Sequence, residues 1–423
     1  MRIVFTPWGS LGDLHPYLAV ALEMQRRGHN VLLATSEIYR EKVEGEGIAF
    51  HGIRPDMRPF IRDAERVAKI MHPLCGPEYL FRQIILPSLR DSYDDLCAAA
   101  KGVDLLVGHI AMLAAPMVAE KSGIPWISVA LQPAVLFSTS DPPYFPITGN
   151  HLRRSPGLAR LVMKQLRFQT KRWMKPVYDL RSQLNLSTDR HPFFEGQFSP
   201  CGTLAMFSPL FASPQPDWPA HVITTGFPFY DKLDASSVGL PAGIEEFLAR
   251  GSEPVVFTLG SSAVFAPGDF YSVSMDAARR VGRRALLLAG PGFEERLSIP
   301  SRDDVLVAAY APYSALFARA AAIVHQGGIG TTAQALRSGK PMIVMPFSHD
   351  QPDNAARVAR LGAGKMIPRR KYAVERVSRT LKYLLSDSSV LKRASELGAA
   401  IQSEDGVSSA ANALGNVLSR NVS

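Results

Sequence analysis

A chain of 423 residues is longer than one ordinary hydrophobic core organises and fits two domains. Its 46% hydrophobic and 20% charged content is that of a globular enzyme, and no uncharged apolar run of about 18 residues is present to span a membrane. The formal charge of +9 would suit a polyanion, but the basic residues are not interleaved with aromatics and no nucleic-acid motif occurs, so nucleic acid is set aside as a partner.

The first half alternates strand and helix: a strand at 2–6, a helix at 14–27 stopped by Gly28, a strand at 30–35, a helix at 37–46, a strand at 104–109, a helix at 114–122 and a strand at 125–131. This alternation predicts an α/β fold with a parallel sheet covered on both faces. The stretches 54–100 and 133–195 break the rhythm and are expected to build binding walls rather than core. The segment 213–241, rich in Pro, Asp, Ser and Gly around a strand-like 221–225, carries the domain boundary near 232–243. A second alternating series follows, with strands at 254–259, 285–289, 305–309, 320–324 and 342–346 and helices from 269, 314 and 331. The chain enters a strand at residue 2 and meets Asp13 early, unlike a signal peptide, and Cys75, Cys97 and Cys201 are too few and too scattered for a disulfide framework or a zinc site. A reducing cytoplasm is the expected location.

The chemistry concentrates in HQGGIGTTAQALRSGKPMIVMPFSHDQPDN, residues 325–354. Gly327, Gly328 and Gly330 let the backbone turn tightly after a buried strand, and Thr331 and Thr332 open a helix whose free N–H groups and dipole favour an anion. His325 is either a satisfied core histidine or a side-chain donor to that anion. Asp350 and Gln351 end the next strand with Ser348 and His349; Asp350 either caps the following helix or, with Gln351, offers the acceptor and mixed donor/acceptor that two sugar hydroxyls need. A phosphate cradle beside an acid–amide pair suits a nucleotide-sugar. At the first strand's end, Gly9 and Gly12 form a loop and Asp13 begins a helix, as an N-cap or as a carboxylate able to take a proton from a hydroxyl. His15 is its rival as base, and His109 closes the third strand of the same sheet as a second acceptor-side candidate. Thr258, Gly260, Ser261 and Ser262 end the first strand of the second series, with hydroxyls able to reach a phosphate or sugar oxygen.

These segments resemble the inverting nucleotide-sugar glycosyltransferases of the GT-B fold, in particular bacterial macrolide and glycopeptide glycosyltransferases, sterol glucosyltransferases and the rhamnosyltransferase of rhamnolipid synthesis. The likeness rests on histidine, glycine-rich turn, Thr-Thr, Gly-x-Pro into a strand, Asp-Gln and an asparagine, and extends to residues 6–16, 208–229, 257–262 and 310–312. The resemblance implies two Rossmann-like, doubly wound domains facing across a cleft, divided as 1–235 for the acceptor and 236–400 for the donor, with a C-terminal helix in 401–423 crossing back to the first domain. It implies Asp13 as catalytic base, Tyr310 stacking on the donor base with Ala311's backbone reading the base edge, and Ser261, His325, Gly328, Gly330, Thr331, Asp350 and Gln351 holding the rest of the donor. The donor would be a UDP- or dTDP-hexose, glucose or rhamnose, and the acceptor a hydroxyl of a small apolar natural product or lipid. No Asp-x-Asp occurs, and no metal or other cofactor is expected, since helix N–H groups and hydroxyls can meet the diphosphate charge. A nucleotide-sugar 2-epimerase of the same fold and a non-catalytic nucleotide-sugar binder are the alternatives; a dinucleotide oxidoreductase lacks its Gly-x-Gly-x-x-Gly after the first strand. Finally, Arg153, Arg154, Arg160, Lys164, Arg167, Lys171, Arg172 and Lys175 accompany an apolar stripe of Leu158, Leu161, Val162 and Leu166, read either as a solvated helix packing its stripe or as a peripheral anchor at the inner face of an anionic membrane.

Overall fold

The computed structural model of the chain describes residues 1–61, 63–231, 239–293, 299 and 301–420. It divides into two compact units: Met1–Phe60 and Leu74–Tyr230 with the C-terminal segment from Asp405, and Ile61–Pro73 with Asp231–Glu404. Each unit is an α/β layer structure built on one parallel sheet.

The first sheet holds β1 (Arg2–Thr6), β2 (Asn30–Thr35), β3 (Ala49–Gly52), β4 (Leu105–His109), β5 (Trp126–Ala130), β6 (Thr203–Ala205) and β7 (Val222–Thr224) in the order β3-β2-β1-β4-β5-β6-β7. Ile3 pairs with Val31 on one side and Leu105 on the other, and all three are almost fully buried, as expected of strands covered on both faces. The second sheet holds β8 (Val255–Thr258), β9 (Ala285–Leu288), β10 (Val305–Ala308), β11 (Ala322–His325), β12 (Met342–Val344) and β13 (Gly364–Met366) in the order β10-β9-β8-β11-β12-β13. In both sheets the winding reverses once, between β1 and β4 and between β8 and β11. The crevice outside the carboxyl ends of strands at such a reversal is where open α/β sheets bind ligands. Thr6 pairs with Gly108 at the first reversal and Thr258 with His325 at the second, so the loops that lead to Asp13 and follow His109, Thr258 and His325 start there.

Several expectations change. The first helix runs Leu11–Arg26, so Asp13 lies within its first turn and Ser10 is the N-cap. The stretches 54–100 and 133–195 are not merely walls. Helices Leu89–Ala99 and Lys175–Gln183 send Leu89, Tyr93, Leu96, Val177 and Leu180 into the first unit's core. Their mixed polarity hides a helical period that supplies one covering layer of the sheet. Ile61–Pro73 belongs to the second unit, with helix Ala64–Ile70, which no sequence signal indicated. Of the expected boundary at 232–243, residues 232–238 lie outside those described. Helix Gly406–Arg420 packs on Leu11–Arg26, with Arg27 Nη1 donating to Asn412 Oδ1 at 2.7 Å. At its start Gly406 leaves no room for a side chain, because a Cβ would stand 2.5 Å from the Phe227 carbonyl carbon.

Candidate active site

In the first unit the chain leaves β1, turns through Gly9 at φ +132°, and enters the helix at Leu11. The Ser10 hydroxyl accepts from Gly12 N at 3.3 Å. Asp13 answers as the third helical residue: its Oδ2 accepts from Ser10 N at 2.7 Å and from Ser10 Oγ at 3.1 Å. This capping box fixes the carboxylate. It also requires glycine at position 9, where a Cβ would meet Asp13 Oδ2 at 2.3 Å. Asp13 Oδ1 takes no hydrogen bond from another of the described residues. Asp13 is half-buried; desolvation raises its pKa to about 6, against the Ser10 hydrogen bonds that lower it. A carboxylate with one oxygen anchored, the other uncommitted, and a pKa near neutrality has the properties of a general base.

The two histidines expected nearby are placed differently. His15 is two residues along the helix, where side chains diverge rather than face each other. Its ring lies 5.0 Å from that of Tyr230, so it does not share the Asp13 position. His109 is buried at the end of β4; its Nδ1 accepts from Ala111 N at 3.2 Å, and Nε2 has no partner among the described residues. Burial lowers its pKa to about 4, leaving a neutral ring that carries its proton on Nε2. Beside it, with ring centroids 6.4 Å apart, stands Tyr17, whose buried hydroxyl also lacks a partner and whose pKa is pushed up by burial and by the Asp13 charge.

In the second unit the loops after β8, β11 and β12 form one packed cluster. Helix Ile329–Arg337 has Gly328 as N-cap, and its opening N–H groups have no carbonyl one turn back to bond. Gly260, at φ +65°, lies at the start of the loop after β8 against the Gln326 amide, where a Cβ would lie 2.1 Å from Gln326 Nε2. Gly328 holds the other side of the same amide, and Gln326 Oε1 is buried with no partner among the described residues. Ser261, the next residue after Gly260, is exposed. Tyr313 and Thr258 bring two hydroxyls together, with Tyr313 Oη 2.9 Å from Thr258 Oγ1. Thr332, by contrast, donates back to Gly328 O at 2.9 Å, inside the helix. Tyr310 is 55% exposed, while the following Ala311 is fully buried.

His325 differs from the side-chain donor the motif suggests. Its ring is wholly buried; Nδ1 accepts from Gly327 N at 3.1 Å and Nε2 lies 3.5 Å from Met342 Sδ. Burial pushes its pKa down to about 3, so the ring is neutral. Both nitrogens are engaged within the fold, and His325 acts by holding the glycine turn in shape. Gln351 is half committed in the same way: its Oε1 accepts from Phe347 N at 2.9 Å and Ser348 N at 3.4 Å, leaving the amide NH₂ for other work. Asp350 occupies the N-cap position of helix Gln351–Leu361 without bonding its backbone; its Oδ2 accepts from Asn354 Nδ2 at 2.6 Å. The same Asn354 amide donates to Gly327 O at 2.9 Å and so ties the β11 loop to Asp350. Asn354 closes the 325–354 motif, and Gln326 sits inside it, yet spacing assigns neither a role; Tyr313 follows Pro312 with no signal at all. Among the described residues no group of three or more His, Cys, Asp or Glu is placed to hold a metal.

Residues 3–138 match the glycosyltransferase family 28 N-terminal domain, and residues 292–414 match the erythromycin biosynthesis protein CIII-like C-terminal domain. The O-mycaminosyltylonolide 6-deoxyallosyltransferase of Streptomyces fradiae is 32% identical over 432 residues, covering 97% of this chain and 96% of that protein. The sterol 3-beta-glucosyltransferase of Pichia angusta is 26% identical over 99% of this chain, which spans only 33% of that larger protein. Among solved structures, the glycotransferase of kitacinnamycin superposes with a TM-score of 0.74 at 20% identity, over 98% of both chains. The glycosyltransferase VinC in complex with dTDP gives 0.68 at 19% identity, over 99% of this chain and 100% of that one. A full-length relative above 30% identity, two domain matches and a shared two-sheet architecture place this chain in the family of GT-B glycosyltransferases.

Proposed function

We propose that this protein transfers a hexose from a UDP- or dTDP-sugar to a hydroxyl of a small, largely apolar acceptor, with inversion at the anomeric carbon and no metal ion. The observation that carries this reading is Asp13: a half-buried carboxylate at a sheet's winding reversal, fixed through one oxygen, with a pKa of about 6. As the acceptor oxygen attacks the anomeric carbon, Asp13 takes its proton, and the bond to the departing diphosphate breaks on the opposite side. The diphosphate charge is met by the helix N-terminus at Gly328, Gly330 and Thr331, with Ser261 contributing its hydroxyl. Asp350 and the free amide NH₂ of Gln351 take sugar hydroxyls, and Tyr310 stacks on the base.

Relatives support both halves. The similar Streptomyces fradiae enzyme is named as a 6-deoxyallosyltransferase on a tylonolide, and VinC and the spinosyn rhamnosyltransferase SpnG have been solved with thymidine diphosphates. The sterol 3-beta-glucosyltransferases extend the acceptor range to other apolar rings. The deciding experiment is a thermal-shift screen of UDP-glucose, dTDP-glucose and dTDP-rhamnose, followed by turnover with and without acceptor. One donor should raise the melting temperature by mass action and be consumed only with an acceptor alcohol, giving the inverted glycoside by NMR. Acceptor-independent consumption would assign the chain to epimerase chemistry instead, and binding without any turnover would make it a nucleotide-sugar sensor.

A further inference from the structure

Helix Pro156–Trp173 turns Ala159, Met163 and Thr170 into the fold, with Val162, Leu166 and Trp173 half-buried beside them. The apolar stripe expected along this helix is therefore split. Leu161 and Phe168 point the other way, 63% and 69% exposed, and Leu158 flanks them at 37%. At 3.6 residues per turn, Lys164, Lys171 and Arg160 fall on one side of this outward pair and Arg172 on the other. All four cations are exposed, and none forms an ion pair among the described residues. Their neighbours Arg153, Arg167 and Lys175 are neutralised by Asp141, Glu195 and Asp179. Between Asp141 and Asp179 the sequence contains no acidic residue.

A single exposed leucine is ordinary. Two large apolar side chains at the centre of an uncompensated cationic face are not explained by packing, because the helix already buries its other side. We propose that this face docks on an anionic lipid surface, with Phe168 and Leu161 entering the headgroup–acyl boundary and Arg160, Lys164, Lys171 and Arg172 meeting lipid phosphates. Charge complementarity selects this occupant: the cations match anionic headgroups, and the apolar pair needs a hydrocarbon layer that a soluble polyanion lacks. The inference is independent of which sugar or acceptor the enzyme uses.

The test is co-sedimentation of the full chain with phosphatidylcholine vesicles and with phosphatidylcholine–phosphatidylglycerol vesicles at low and high salt. The protein should partition onto the anionic vesicles alone and leave them as salt screens the charges. Arg160→Gln, Lys164→Gln, Lys171→Gln and Arg172→Gln combined should lower the partition coefficient about fivefold per residue, or roughly two to three orders of magnitude together. Leu161→Ser with Phe168→Ser should also reduce binding, with the melting temperature kept near wild type. Equal recovery with neutral and anionic vesicles, or undiminished binding by the quadruple variant, would overturn the proposal. Retention on a heparin column without vesicle binding would do so too, by assigning the face to a soluble polyanion.

Discussion

Asp13 carries its charge at a cost that the surrounding residues set. Desolvation lifts its pKa from 3.8 to about 6 while the unfolded chain keeps the ordinary value. Between those values the folded state binds more protons than the unfolded one, so this group's contribution to stability is fully present below pH ~4 and is lost as pH rises through ~6. Asp13→Asn removes that dependence: its melting temperature relative to wild type should climb between pH ~4 and ~6 and level off above. The same substitution should lower turnover on the order of 10²–10⁴-fold and abolish a rising limb of kcat/KM near pH 6, with nucleoside-diphosphate affinity unchanged. Retained turnover in a folded variant removes Asp13 as base. His325 titrates in the opposite sense. Its pKa falls from 6.5 to about 3 by burial, so the stability linked to its neutral form is present above pH ~6.5 and drains away as pH falls toward 3. His325→Ala leaves the Gly327 N–H without its acceptor, worth about 1–3 kcal/mol, and should lower melting temperature and diphosphate affinity together. Loss of affinity at constant melting temperature would instead mark a ring that contacts the ligand. Both residues stand out in the sequence as candidates; the partners of their individual atoms do not. Ser10 and Met342, which occupy those atoms, stand three and seventeen positions away, and only folding sets their distances.

At the scale of elements, the glycine-rich turn works because three loops share one volume. Gly327 sits at φ +91°, and a Cβ there would stand 2.7 Å from Val344 Cγ1 and 3.1 Å from Gln351 O. Gly327→Ala therefore combines backbone strain with collision against β12 and the helix after it. A loss of about 1–3 kcal/mol in stability is expected from the strained φ alone, with diphosphate binding lost in calorimetry. Wild-type affinity in this variant would show that the turn is not part of the donor site. The mostly buried strands β1, β2, β4, β5, β8, β9, β10, β11 and β12 are readable because apolar runs bounded by turn residues have few other solutions. Three others are harder. β6 has only Thr203–Ala205, β13 only Gly364–Met366, and β3 is partly exposed, so their local patterns are too brief or too mixed to stand out. Their strand character comes from the neighbour they pair with.

At the scale of the molecule, the chain passes between its two units more than once. No Asp-x-Asp occurs in the sequence, so the proposed transfer should persist in excess EDTA; loss of activity restored by magnesium or manganese would put a metal on the diphosphate. The sharper test concerns the C-terminal segment. Helix Gly406–Arg420 belongs to the first unit although the residues before it, through Glu404, belong to the second. It buries Ala410, Ala411, Leu414 and Leu418, and at about 1.5–3 kcal/mol for each leucine its removal costs the first unit several kcal/mol, a large part of what a domain of this kind has. The second unit keeps every residue proposed to hold the donor. A chain ended after Glu404 should therefore show, by calorimetry, a first-unit transition moved well downward. The second-unit transition should stay in place and still rise on addition of the nucleoside diphosphate. If both transitions fall together, or the diphosphate shift disappears, the helix supports the donor unit as well, and the division of labour drawn from the contacts is wrong.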